Sequence, residues 1–95
     1  MVDQTSQVTG RPYSEKKEDG YIIREFSRNT PTYELVWHRD KKDRTLIVLE
    51  GFGWQLQLDN EEPKDLLEGH SYSIDKMEYH RIIKGTGDLV VRIYE

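Results

Sequence analysis

The sequence contains no cysteine, which excludes a disulfide framework, a thiolate-ligated zinc site and a cysteine nucleophile. Long apolar runs are missing as well. No stretch approaches the roughly 20 residues of a membrane span, and the opening MVDQTSQVTGRPYSEKKEDG has no apolar core of the kind a signal peptide requires. A cytoplasmic protein with no membrane contact is expected. Excess positive charge is also absent: 14 Lys and Arg face 18 Asp and Glu, for a formal net charge of -4. That is the wrong sign for holding nucleic acid or an anionic membrane through a basic face. Finally, no window carries a helical apolar stripe of ordinary length; NEEPKDLLEG, residues 60–69, has Pro63 in its middle and reads as a loop.

What is present is β-pattern. The 95 residues suffice for one domain with a modest core, and aromatics at 11% raise the burial available from a hydrophobic fraction of only 35%. Residues 1–20 are polar and aperiodic, and read as a flexible or partner-bound N-terminal arm; residues 21–95 read as a single domain. Within it YIIREFSR, TYELVWHRD, RTLIVLEG, GWQLQLD, HSYSID, YHRIIKG and DLVVRIYE are strand-like runs. Turn signals at Gly69, DKME and GTGD separate several of them. GFG and GTG read as hairpin punctuation, since no helix follows either to make a phosphate cradle. The expected fold is all-β, a small antiparallel barrel or jelly-roll sandwich.

One stretch raises a chemical question. In VWHRD, residues 36–40, His38 and Asp40 stand two apart, so on a strand they share a face. If they point inward, Glu34 and Val36 do too, while Leu35 and Trp37 point outward and need a cover, which the segment YIIREF or a second copy in a homodimer would supply. If instead Leu35 and Trp37 form the core, the His and Asp face solvent. Periodicity alone leaves both open.

Two longer stretches bear on the choice. HRDKKDRTLIVLEG (38–51) and GHSYSIDKMEYH (69–80) resemble the two signature motifs of the cupin superfamily. The first family motif runs His, one spacer, His, three or four spacers, Glu, six spacers, Gly. Here His38, Asp40, Arg44 and Gly51 occupy those places. The second runs Gly, five spacers, Pro, one spacer, Gly, two spacers, His, and here Gly69, Asp75, Met77 and His80 stand there. The resemblance spans about residues 30–94, keeps every spacing and leaves neither motif intact. The WHRD and YHR flavour is similar to that of uncharacterised small single-domain cupins of tailed phages.

This resemblance implies a barrel whose interior holds a divalent metal on three His and one Glu. With Asp40 at a His position, His38, Asp40 and His80 would form a two-imidazole, one-carboxylate set suited to Fe(II), with Mn, Ni and Zn as other candidates. The order His-x-Asp and a later His is also similar to that of oxygenases dependent on 2-oxoglutarate, but this chain lacks room for their core and co-substrate pocket. Arg44 opposes metal binding, since a guanidinium never deprotonates and repels a dication. It either pairs with Asp40 or clamps a carboxylate or phosphate of a ligand.

Each candidate has a bland counterpart. His38 and His80 are metal ligands or hydrogen-bonded pocket histidines with no cofactor. Gln55 and Gln57 line a ligand pocket or a solvated face. Trp54 and Tyr72 are core aromatics or stacking walls, His70 an exposed turn residue, and RDKKDR a solvated turn. Three functions follow: a metal-dependent enzyme or binder for a small anionic or sugar-like molecule; metal-free acid/base chemistry, as in sugar-nucleotide epimerases of the superfamily, with Tyr72 or Tyr79 as acid; and a non-catalytic dimeric ligand-binding or phage accessory module. The residues do not decide whether the protein is an enzyme.

Overall fold

A computed structural model describes residues 12–32 and 35–95. No α-helix occurs among them, and no helix is long and apolar enough to cross a membrane. Eight strands are formed by the described residues: β1 (Ser14–Lys17), β2 (Ile22–Phe26), β3 (Arg44–Phe52), β4 (Gln55–Leu58), β5 (Lys64–Asp65), β6 (Ser71–Ile74), β7 (His80–Ile83) and β8 (Thr86–Tyr94). They build a five-stranded sheet in the order β1-β2-β8-β3-β6 and a three-stranded sheet in the order β5-β4-β7. Every pairing is antiparallel.

The inner faces follow the period of two. Leu46 and Val48 of β3, Leu89, Val91 and Ile93 of β8, Phe26 of β2 and Ile74 of β6 are buried from the large sheet, and Leu56 and Leu58 of β4 from the small one. Trp54 and Leu66 close this core. The strictly alternating GWQLQLD therefore turns its Trp and Leu side chains inward as the pattern predicts. Burial of each such side chain contributes about 1.5–3 kcal/mol.

Among the described residues the chain changes sheet four times: from β3 to β4 through Gly53 and Trp54, from β5 to β6 through residues 66–70, from β6 to β7 through the Asp75–Tyr79 turn, and from β7 to β8 through Lys84 and Gly85. GFG is thus a crossover and not a hairpin, because β3 pairs with β6 and β8 while β4 pairs with β5 and β7. A second corner, Gly85, packs onto this one so closely that a Cβ there would lie 2.3 Å from the Gly53 carbonyl carbon. Backbone meets backbone, and no larger residue fits.

Two further expectations need correction. The boundary between arm and domain does not fall at residue 20: Ser14–Lys17 pairs with Lys17↔Ile22 to Ser14↔Glu25 register along β2 and forms the edge of the large sheet. Its polar sequence suits an edge strand with one solvated face; residues 1–11 of the expected arm lie outside the described residues. The described residues of TYELVWHRD form no strand. The Leu35 N–H donates to the Thr32 carbonyl at 3.0 Å, closing a turn just after Pro31, and only His38 pairs, in a single bridge with His80. The turn breaks the alternation, so Leu35 packs against the core instead of pointing outward, whereas Val36 and Trp37 stay exposed. Glu34 lies outside the described residues.

Candidate metal centre

His38 and His80 exchange both backbone hydrogen bonds, at 3.0 Å and 2.9 Å. Opposed residues of an antiparallel pair project to one side, and the two imidazole centroids lie 4.3 Å apart. Asp40, two residues beyond His38, keeps the same side. Its carbonyl accepts the Met77 N–H at 2.6 Å, so the turn entering β7 holds Asp40 against His80.

The hydrogen bonds of the rings fix their tautomers. His38 Nδ1 lies 3.1 Å from the Val36 carbonyl and His80 Nδ1 lies 2.8 Å from the Glu78 carbonyl. A carbonyl only accepts, so each Nδ1 donates a proton and each Nε2 of the neutral ring presents a lone pair. For His80 the neutral ring is favoured, because burial pushes its pKa below the ordinary value. The Glu78 carbonyl and Asp40 oppose that shift, and His38 and Arg44 reinforce it. The His80 Nε2 lone pair then faces Asp40 Oδ2 at 3.3 Å, with His38 Nε2 at 3.9 Å from the same oxygen. These are acceptors facing an acceptor. Asp40 Oδ2 is buried and has no hydrogen-bond partner among the described residues. A cation among the three groups resolves the conflict, and their ligand atoms all lie within 4.8 Å of one another. The donor set thus fits a divalent ion, with both rings oriented by backbone carbonyls in the way metal-bound imidazoles require.

Arg44 begins β3 and projects to the same place. Its Nη1 is 3.3 Å from Asp40 Oδ2 and its Nη2 is 2.7 Å from Glu95 Oε2. The expected contact with Asp40 is present, but a second carboxylate shares the guanidinium. Glu95 escaped the sequence reading. The signal was there: Leu89, Val91 and Ile93 alternate inward on β8, and Glu95 is next in phase. Arg24 was missed in the same way. It is in phase with Ile22 and Phe26, is buried, and donates through Nε to Glu15 at 2.9 Å with its guanidinium over the Tyr13 ring.

A cavity of about 280 Å³ lies between the sheets beside these groups. His38, Asp40, Arg44 and His80 form one polar part of its wall and Arg24 with Tyr13 another; the rest is carbon, including Leu46, Ile82, Val91 and Ile93. Gln55 and Gln57 are not in it. They lie on the opposite face of β4 from Leu56 and Leu58, where Gln55 donates to Asp65 and Gln57 bridges the Glu61 carbonyl and Arg81. Of the two candidate acids, Tyr72 bonds the Asp65 carbonyl and the Leu67 N–H at 2.8 Å each, tying down a loop. Tyr79 is exposed beneath Arg39. Neither borders the cavity. Trp54 is core and His70 is exposed.

No protein-family model and no curated protein matches the chain. Solved structures do. A cupin-2 domain protein from Shewanella frigidimarina superposes with a TM-score of 0.60 at 23% identity, over 86% of this chain and 78% of that one. A cupin domain from Bordetella pertussis gives 0.59 at 16% identity, over 93% and 96%. The iron(II) form of HppE gives 0.58 at 22% identity over 77% of this chain, which spans only 40% of HppE. Two antiparallel sheets that superpose on these structures identify the fold as that of the cupins.

Proposed function

We propose that this protein binds one divalent metal ion through His38 Nε2, Asp40 Oδ2 and His80 Nε2 and uses it to bind a small molecule in the adjoining cavity. The observation that carries this is the convergence of two imidazole Nε2 atoms on the buried Asp40 Oδ2, which accepts no hydrogen bond among the described residues and is approached by Arg44 only at 3.3 Å. The metal would supply a Lewis acid with open coordination positions, and two imidazoles with one carboxylate suit Fe(II) best, with Mn, Ni and Zn as alternatives. The likeness to an iron(II) protein of the same fold supports that choice. Around the ion, this chain's residues divide the work. The Val36 and Glu78 carbonyls orient the rings, and Arg44 is neutralised by Glu95 so that its charge opposes a dication less.

Metal analysis of untagged protein, followed by titration of the metal-free form with Co(II), Ni(II) and Zn(II), tests this. About one ion per chain, lost in His80→Ala, is expected; no binding at millimolar metal would end the proposal.

A second reading is favoured by the 3.3 Å approach of Arg44 to Asp40: a metal-free cluster in a non-catalytic ligand-binding or phage accessory module. Homodimerisation goes with either. Its support is narrower than the sequence suggested, since Leu35 packs inward, and rests on exposed Val36 and on Trp37, which is half-covered by Arg81.

A further inference from the structure

The cavity that meets the metal ligands is lined chiefly by carbon, and the side-chain charges at its polar part and paired directly behind it, at Glu95, almost cancel. Asp40 and Glu95 set against Arg44 leave one negative charge when both rings are neutral. A bound dication converts this to one positive charge, partly enclosed by apolar walls, where an uncompensated charge is costly. A single negative charge on the ligand would neutralise it. The other cation on the wall, Arg24, cannot play that part, because Glu15 already matches it at 2.9 Å. By strand register Arg24 lies level with Val91 and Val48, while Arg44 lies four residues from Val48 along β3, about 13 Å away along the strand direction. Leu46, Val91 and Ile93 occupy the inner face of the sheet between them.

Volume limits the rest of the ligand. A cavity of about 150 Å³ lined by aliphatic and aromatic side chains holds benzene; this one, at about 280 Å³, holds a body of about 10–12 non-hydrogen atoms on the same scale. A sugar of that size would turn several hydroxyls toward carbon and lose their hydrogen bonds to water without replacement.

We propose that the ligand is a small monoanion with an apolar body: an acidic oxygen head that completes the coordination at His38, Asp40 and His80, and a hydrocarbon chain or ring that lies along Leu46, Val91 and Ile93. This rests on the metal-binding reading and narrows its ligand class from small anionic or sugar-like molecules to apolar monoacids.

The test uses the full chain loaded with Co(II), whose visible absorption reports its coordination, titrated calorimetrically with acetate, butanoate, hexanoate and octanoate, and with galacturonate as the polyhydroxylated monoanion. Each added methylene should tighten binding about fourfold, the equivalent of the ~0.8 kcal/mol gained by burying it, until the cavity is full near octanoate. Galacturonate should bind no more tightly than acetate. Ile82→Phe, which narrows the cavity from the small sheet, should weaken octanoate more than acetate. Affinity independent of chain length, or galacturonate binding more tightly than octanoate, would overturn the inference even if Ile82→Phe failed to fold. Failure of Co(II) to bind overturns the metal reading itself, whereas Co(II) bound with a flat chain-length series overturns only the choice of ligand.

Discussion

The guanidinium of Arg44 reaches the Glu95 carboxylate at 2.7 Å, closer than the 3.3 Å that separates it from Asp40. The family's fourth ligand position is therefore filled by a cation that is held chiefly by a carboxylate from the end of β8. This division leaves Asp40 Oδ2 for other partners. In Glu95→Gln the charge that draws Arg44 away is gone, and the guanidinium should close on Asp40. Metal affinity should fall about tenfold, roughly the 1.4 kcal/mol scale of one charge-assisted hydrogen bond. Calorimetric titration with Co(II) measures it; an unchanged Kd would show that Asp40 does not depend on Glu95.

Arg44→Glu goes the other way. It restores the carboxylate of the family motif and removes a positive charge, so metal should bind at least tenfold more tightly, an amount corresponding to about 1.4 kcal/mol. The metal-free variant should melt lower than the parent, since the new carboxylate would stand between Asp40 and Glu95 and be repelled by both. Weaker metal binding with an unchanged melting temperature would place the side chain at position 44 outside the coordination sphere.

The two histidines should separate binding from folding. The side chain of His80 is 4% exposed, while that of His38 is 46% exposed. His38→Ala should abolish tight Co(II) binding at little cost to the melting temperature. His80→Ala should lose metal and also about 1–3 kcal/mol of stability, because it empties a buried position and leaves the Glu78 carbonyl without its donor. Equal destabilisation by both would contradict the burial difference.

The His80 shift carries a pH signature in chelator-treated protein. Its folded pKa lies below the ordinary value of 6.5, so between the two values the unfolded chain binds more protons than the folded one. Stability is then complete above about pH 6.5 and is lost as the pH falls toward the folded pKa. Thermal melts should drop more steeply between pH 7 and 5 in the parent than in His80→Gln. Parallel curves would mean that the buried ring does not set the slope.

Strand content was legible because apolar alternation records it directly: Trp54, Leu56 and Leu58 share one face of their run by pattern alone, although whether Trp54 is core or a stacking wall was left to the structure. Parity over two residues put His38 and Asp40 on one side but left that side open; the resemblance to the cupin motifs is what pointed them inward. Parity failed where a turn intervened, at Leu35, and it could not assign Gln55 and Gln57, since the outer face of a sheet alternates just as well as the inner one. Glu95 and Arg24 were in phase with apolar neighbours yet passed over, because partners distant in sequence, Arg44 and Glu15, satisfy them only after the sheet has formed. Pairing register is what a single sequence leaves unwritten.

Met77 marks a remaining departure from the motif, and it is a conformational one. The family has glycine there, and in this chain Met77 has φ of 65°, in the left-handed region that costs a residue with a Cβ about 1–2 kcal/mol. Its side chain is 47% exposed, so little packing offsets the strain. What keeps it there is the N–H of Met77, which donates to the Asp40 carbonyl at 2.6 Å and ties the β7 turn to the metal-ligand segment. Met77→Gly should relieve the strain while losing about 0.5–1 kcal/mol to the greater freedom of the unfolded chain. The net gain should be up to about 1.5 kcal/mol, or a rise of a few degrees in Tm. Asn60 provides the control: it has φ of 61°, but asparagine tolerates this region, so Asn60→Gly should gain less. A lower Tm for Met77→Gly would show that the methionine side chain contributes packing that outweighs its backbone strain.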